Sequence, residues 1–402
     1  MPPAPAQLAP GLLVILRKSS TLCTVFSRRS SRDQSPNAIA ARLAETAKPR
    51  FDLTGSNPTT AEIVYPDELL RVLVSAQAQS LVYSPEPFGL VSAREALTRV
   101  TGGEVADILL TASTSEAYGF LFKLLCDPGD AVLVPAPSYP LFEHLAELEA
   151  VQALPYRVAY DGAWHIDLDS VRRAVTERVR AIIVVSPNNP TGQYVTSAER
   201  AALAALGLPV ISDEVFAEFP LTERAARRSA PNHDVLTFTL DGLSKRAGSP
   251  QLKLGWTVLA GPEPARREAR ARLELIADTF LSAATPIQRA LPGILELSPV
   301  ITSNIGARCR ENLATLARAV QSSPITLLQP EAGWSAVLHL PRIETEVELV
   351  LSLLSEQQVL VQPGWFYDFE SEPYLVVSLL TQPQLFREGV DRLVTHVLQL
   401  VS

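Results

Sequence analysis

From residue 91 onward, short apolar runs alternate with helix-patterned segments, and this alternation constrains the fold more than any other feature of the chain. The apolar runs fall at 131–135, 181–186, 209–213, 235–240 and 254–260. They carry little polar alternation, which is the pattern of strands buried on both faces. Helix-patterned text at 92–100, 116–126, 168–176 and 198–206 is interspersed with them. The alternation predicts an α/β fold with a mainly parallel sheet covered by helices. A longer helical stretch, 262–297, is punctuated by Pro286, Pro292 and Pro299, and 300–402 reads as a helix and strand mix with its own core.

In open α/β sheets, ligands sit beyond the carboxyl ends of the strands. The residues just after each apolar run are therefore informative. Ser186-Pro187-Asn188-Asn189-Pro190-Thr191-Gly192 comes after one, Asp213-Glu214 ends another, and Asp241-Gly242-Leu243-Ser244-Lys245 comes after a third. An amide, a carboxylate and an amine thus stand at strand ends where one site would be built.

Composition narrows the functional classes. Of 402 residues, 47% are hydrophobic and 19% charged, which excludes a disordered polymer or a coiled coil. A net charge of −8 without long single-sign runs argues against nucleic acid as partner. Cys23, Cys126 and Cys309 form no disulfide framework and no CxxC pair, and the five histidines show no metal-ligand spacing, so no metal is expected. No apolar run reaches the ~18 residues of a membrane span. These features suit a cytoplasmic protein without a membrane partner. Residues 1–32 hold five basic and no acidic side chains. The segment 1–33 is read as a basic, disordered extension, with organelle targeting as the other reading. The 32 prolines point to many turns between short elements.

The ordered motifs SPNNPTG (186–192), ISDEV (211–215), LSK (243–245) and KLGW (253–256) resemble those of the class I/II aminotransferases of fold type I, the pyridoxal-phosphate enzymes related to aspartate aminotransferase. The resemblance runs from about residue 51 to 398. It implies a large pyridoxal 5'-phosphate domain (67–290) with a seven-stranded-type sheet, and a smaller α+β domain from both chain ends (34–66 and 291–402). It also implies a homodimer, and as substrates an amino donor and a 2-oxo acid. Lys245 matches the lysine that holds the cofactor as an aldimine and then moves the substrate α-proton. Asp213 matches the carboxylate facing the pyridine nitrogen, and Asn189 the amide that bonds the phenolic oxygen and borders the substrate. Ser113, Thr114 and Ser115 precede a helix and match the 5'-phosphate site, to which Ser244 also belongs. Tyr139 matches the ring that stacks on the cofactor. Tyr83 matches the tyrosine that reaches the partner subunit's phosphate, and Gly55 the glycine segment on the substrate side.

Four positions depart from that pattern. Phe216 stands where a tyrosine would donate to the cofactor's phenolic oxygen. Lys253 replaces the phosphate-binding arginine, keeping charge but not the two-pronged fork. Gly242 replaces a serine. Val376, in Tyr374-Leu375-Val376-Val377-Ser378, replaces the arginine that grips the substrate α-carboxylate. The implied activity is transamination. A β-elimination lyase or decarboxylase using the same cofactor is the second reading, and a non-catalytic protein binding the cofactor or an amine the third.

Overall fold

The computed structural model describes residues 27–30, 35–46, 48–75, 78–222, 234–371 and 373–402. The basic extension expected over 1–33 lies outside the described residues except for 27–30, which include a short turn, Arg28–Ser30.

Strand β1 (Phe51–Asp52) precedes an eight-stranded sheet built from β2 (Ile108–Thr111), β3 (Ala131–Ala136), β4 (Gln152–Tyr160), β5 (Trp164–Ile166), β6 (Val179–Val185), β7 (Val210–Asp213), β8 (Thr237–Gly242) and β9 (Gly255–Ala260). Its order is β2-β9-β8-β7-β6-β3-β4-β5. Strands β4, β3, β6, β7 and β8 are mutually parallel, and β9 runs antiparallel between β8 and β2. Seven strands were expected; the eighth is β5, a three-residue edge strand antiparallel to β4 and too short for an apolar run to announce it. Strands β2 and β7 are buried along their whole length, as two-sided coverage requires.

The described helices are α1 (Ala38–Glu45), α2 (Glu68–Ser75), α3 (Val91–Thr101), α4 (Thr114–Leu125), α5 (Phe142–Leu148), α6 (Leu168–Ala174), α7 (Ser197–Ala204), α8 (Leu243–Arg246), α9 (Glu263–Phe280), α10 (Thr285–Val320), α11 (Glu346–Ser352) and α12 (Pro383–Val401). Helix α10 runs straight through Pro292 and Pro299, which were expected to punctuate it. Each proline removes one backbone hydrogen bond and crowds the preceding turn. Burial of Leu291, Ile294, Leu295, Ile301 and Ile305 along the helix outweighs that loss.

A second sheet, wholly antiparallel, has the order β10-β11-β14-β13, from β10 (Thr326–Leu328), β11 (Ser335–His339), β13 (Gln362–Pro363) and β14 (Tyr374–Ser378). Strand β1 pairs in parallel with β12 (Val359–Leu360), so the chain near residue 51 is hydrogen-bonded to the chain near residue 359. Phe51 and Leu53 are fully buried there, close to Gly389 of α12. Among the described residues, no helix is long and apolar enough to cross a membrane.

Candidate active site

Because β2, β3, β6, β7 and β8 point the same way, the residues at their carboxyl ends meet at one end of the sheet. Strand β9 runs the other way, so its first residues meet there too. A cavity of about 500 Å³ opens at this end, and one of its walls is supplied by the second sheet. Of the residues singled out in the sequence, Ser113, Thr114, Ser115, Tyr139, Asn189, Asp213, Phe216, Ser244, Lys245 and Lys253 all line it.

The amine end is set by β8 and α8. Arg246, buried beside Lys245, donates from Nε to Asp241 Oδ2 (2.8 Å) and from a terminal nitrogen to Glu218 Oε1 (3.0 Å). Thr302 Oγ1 donates to the Arg246 carbonyl (2.8 Å), so the single turn of α8 is held from three sides. Lys245 Nζ projects between two rings, 4.9 Å from the centroid of Trp334 and 5.3 Å from that of Phe216. The two rings meet edge to face at 5.3 Å. Burial lowers the Lys245 amine to about 8, against the attraction of Asp213.

Asp213 is the last residue of β7. Its Oδ2 accepts from Tyr118 Oη (3.0 Å) and its Oδ1 from the Val215 N–H (3.3 Å). Burial raises this carboxyl to about 6, a rise that the two donors and Lys245 limit and the nearby Asp241 increases.

The anion end is the start of α4. Ser113 caps the helix, its Oγ accepting from Glu116 N (3.2 Å). The N–H groups of Thr114 and Ser115 have no acceptor within the helix and carry the positive end of its dipole. Strand β9 begins against this turn: a Cβ on Gly255 would lie 3.1 Å from Thr114 N. A Cβ on Gly242 would lie 3.0 Å from the Leu254 carbonyl oxygen, so the departure from serine at 242 accords with tight packing of β8 on β9. Lys253, exposed and at φ +48°, stands just before β9.

The loop after β6 divides labour between adjacent asparagines. Asn188 is buried; it accepts from Ser138 Oγ (2.7 Å) and donates to the Pro137 carbonyl (2.9 Å) and Thr191 Oγ1 (2.7 Å). Asn189 is left facing the cavity, its Oδ1 3.5 Å from Ser335 Oγ. Gly192 closes the loop at φ +79°, where a Cβ would lie 2.5 Å from the Ala332 carbonyl oxygen. Only glycine fits both the angle and the space.

Two predicted residues lie elsewhere. Gly55 does not line the cavity; its carbonyl accepts from Ser378 Oγ (2.5 Å), and its neighbours Thr54, Ser56 and Asn57 provide the lining. Tyr83 is 76% exposed and borders a separate depression with Pro85 and Gln288. Val376 is 1% exposed, packed with Leu328, Val337, Phe366 and Tyr367. The sequence reading missed Tyr118, which sits on the apolar face of α4 and reads as core. It also missed Trp334, Ser335, Gln362, Phe366 and Tyr367, which come from the second sheet and its connections and carry no motif.

The family model described as aminotransferase class I and II matches residues 54–393. The chain belongs to this family. Among relatives of this aminotransferase, the glutamate-pyruvate aminotransferase AlaA of Haemophilus influenzae is 27% identical over 380 residues, spanning 88% of this chain and 92% of that protein. The solved alanine aminotransferase of Pyrococcus furiosus superposes with a TM-score of 0.80 at 23% identity, covering 90% of this chain and 95% of that one. A single-mutant aspartate aminotransferase of Thermus thermophilus gives 0.81 at 22%, covering 93% and 100%. These likenesses agree with the α/β fold of this aminotransferase, whose family is generally pyridoxal-phosphate-dependent.

Proposed function

We propose that this aminotransferase holds pyridoxal 5'-phosphate through Lys245 and moves an amino group from an amino acid, or another primary amine, to a 2-oxo acid. The observation that carries the reading is the convergence of a buried amine, a buried carboxylate and a helix N-terminus on one cavity. This donor set fits the cofactor, whose aldehyde takes an amine, whose ring nitrogen takes an acid and whose phosphate takes N–H and hydroxyl donors. When bound, the cofactor supplies an electron sink for charge developing at the substrate α-carbon.

The chain's own residues do the remainder. With its amine brought down to about 8, Lys245 is partly unprotonated near neutral pH and acts as nucleophile and then as base, holding the substrate α-proton on Nζ before returning it. The rings of Phe216 and Trp334 shield that nitrogen from water. Asp213 accepts from the ring nitrogen, and Asn189 donates to the phenolic oxygen. Ser113, Thr114, Ser115, Ser244 and Lys253 hold the phosphate. Asn57, Ser335 and Gln362, on the opposite wall, offer neutral hydrogen-bonding groups to the substrate.

The name of the AlaA relative makes glutamate and pyruvate the first pair to try. The purified enzyme loaded with the cofactor is expected to absorb in the visible, and Lys245→Ala to lose that band. Single amino acids added without a 2-oxo acid should bleach the band, and pyruvate should restore it with formation of alanine. Catalytic release of ammonia or CO₂ would instead indicate a lyase or decarboxylase. A spectrum indifferent to every amine would leave only binding.

A further inference from the structure

We propose that Tyr118 is a positioning residue of this enzyme, fixing the Asp213 carboxylate opposite the cofactor's ring nitrogen from the same helix whose first turn receives the phosphate. The inference rests on the cofactor reading above and adds to it a residue that none of the motifs contains.

Three observations carry it. Tyr118 is 2% exposed, and its hydroxyl donates to Asp213 Oδ2 at 3.0 Å. Its ring has no freedom to leave: it meets Phe142 edge to face at 5.4 Å and Phe122 at 6.0 Å. It also lies one helical turn beyond Thr114 and Ser115 on α4, so a single rigid element spaces the phosphate donors from the carboxylate's partner. With Oδ2 held by Tyr118 and Oδ1 by the Val215 N–H, the plane of the carboxylate is set before any ligand arrives. Preorganisation of this kind removes a reorganisation cost from binding.

The hydroxyl also biases charge. Asp213 faces Tyr118 from α4, Asp241 at the end of β8, Lys245 on α8 and Tyr139 after β3. Its neighbour Glu214 is turned to Arg200 (3.1 Å). Burial and Asp241 favour the protonated acid, whereas Lys245, the Val215 N–H and Tyr118 favour the carboxylate. Tyr118 remains a donor throughout, because burial beside Asp213 holds its own phenol well above the ordinary value of 10.0. Removing its hydroxyl therefore makes Asp213 take up a proton at higher pH.

The test is the pH dependence of cofactor affinity, measured by equilibrium binding of pyridoxal 5'-phosphate to the full-length protein. The cofactor's own ionisations are shared by every variant and cancel in the comparison. The wild-type dissociation constant is expected to rise below about pH 6, where Asp213 protonates. In Tyr118→Phe this break moves up by about one pH unit, and affinity at pH 7 falls roughly tenfold, the size of one hydrogen bond to a charged group. Replacing Tyr118 by 3-fluorotyrosine, a stronger donor of nearly the same shape, moves the break the other way and covers the case of a Phe variant that folds poorly. Tyr156→Phe is the control: its hydroxyl is equally buried nearby but donates to the Ile183 carbonyl (2.9 Å), so the break stays in place. An unmoved break in both Tyr118 variants, or an equal shift in Tyr156→Phe, overturns the inference alone. If Asp213→Asn leaves the wild-type pH profile intact, the cofactor reading falls and this inference with it.

Discussion

Burial brings the Lys245 amine from its ordinary 10.5 down to about 8, although the Asp213 carboxylate pulls the other way. The unfolded chain keeps this proton until about 10.5, whereas the folded chain releases it near 8. Between those values the unfolded state binds more protons, so this residue's contribution to stability increases as pH rises through the window. Below pH 8 the folded protein carries a buried ammonium that costs stability, and what the fold gains is a nucleophile near neutral pH. The rate at which the cofactor-free enzyme captures the aldehyde should therefore climb with pH and level off near 8, as stopped-flow absorbance can follow. A climb continuing toward 10.5 would place the amine in water. At this scale the sequence was most legible: Lys245, Asp213 and Asn189 stand in motifs whose spacing is visible in the chain. Tyr118 was not, because a hydroxyl aimed at a residue 95 positions away leaves no local pattern.

Among the elements, the loop from Ser186 to Gly192 shows how scaffolding and function separate. Its two adjacent asparagines are indistinguishable by sequence, and only the contacts of Asn188 with Ser138, Pro137 and Thr191 show which one is structural. Asn188→Ala should remove these buried bonds and destabilise the protein by about 2–4 kcal/mol, at about 1 kcal/mol per bond plus the cost of partners left unsatisfied. Urea unfolding measures that loss, and weaker cofactor binding in the same variant would register the displaced Asn189. Unchanged urea midpoints would mean that the loop is held by its prolines and glycine alone. The strand runs were legible for the same reason that the loop was not. A two-sided strand is a local apolar run, while the role of a loop residue depends on what the fold brings beside it. Helix α10 shows the converse, since Pro292 and Pro299 are local breaks overruled by burial.

For the whole molecule, the cavity exists because the second sheet closes over the carboxyl ends of the first. Gly192 lies against Ala332, and two residues further on Trp334 meets both Phe216 and Lys245. Another feature of this scale faces outward. Leu70 and Val74 on α2, with Leu81, Val82 and Tyr83 beyond it, are all more than 60% exposed. That much apolar surface on one stretch of chain is unusual for a monomer. A homodimer is expected, and gel filtration with light scattering should give the mass of two chains, with Leu70→Glu shifting it toward one. A wild-type chain that runs as a monomer at micromolar concentration while fully active would refute this.

By itself the sequence determined the α/β class, the run of strand ends that bear an amide, a carboxylate and an amine, and the replacement of expected residues at 216, 242, 253 and 376. These are properties of composition, period and spacing, all local to the chain. Only the tertiary structure decided the eighth strand, the burial of Val376 away from the cavity, the lack of room for a side chain at Gly242, and the place of Tyr118 and Trp334 beside Asp213 and Lys245. Each of those depends on atoms far apart in sequence, and it is their packing that sets burial, and with it the protonation of the groups in the site.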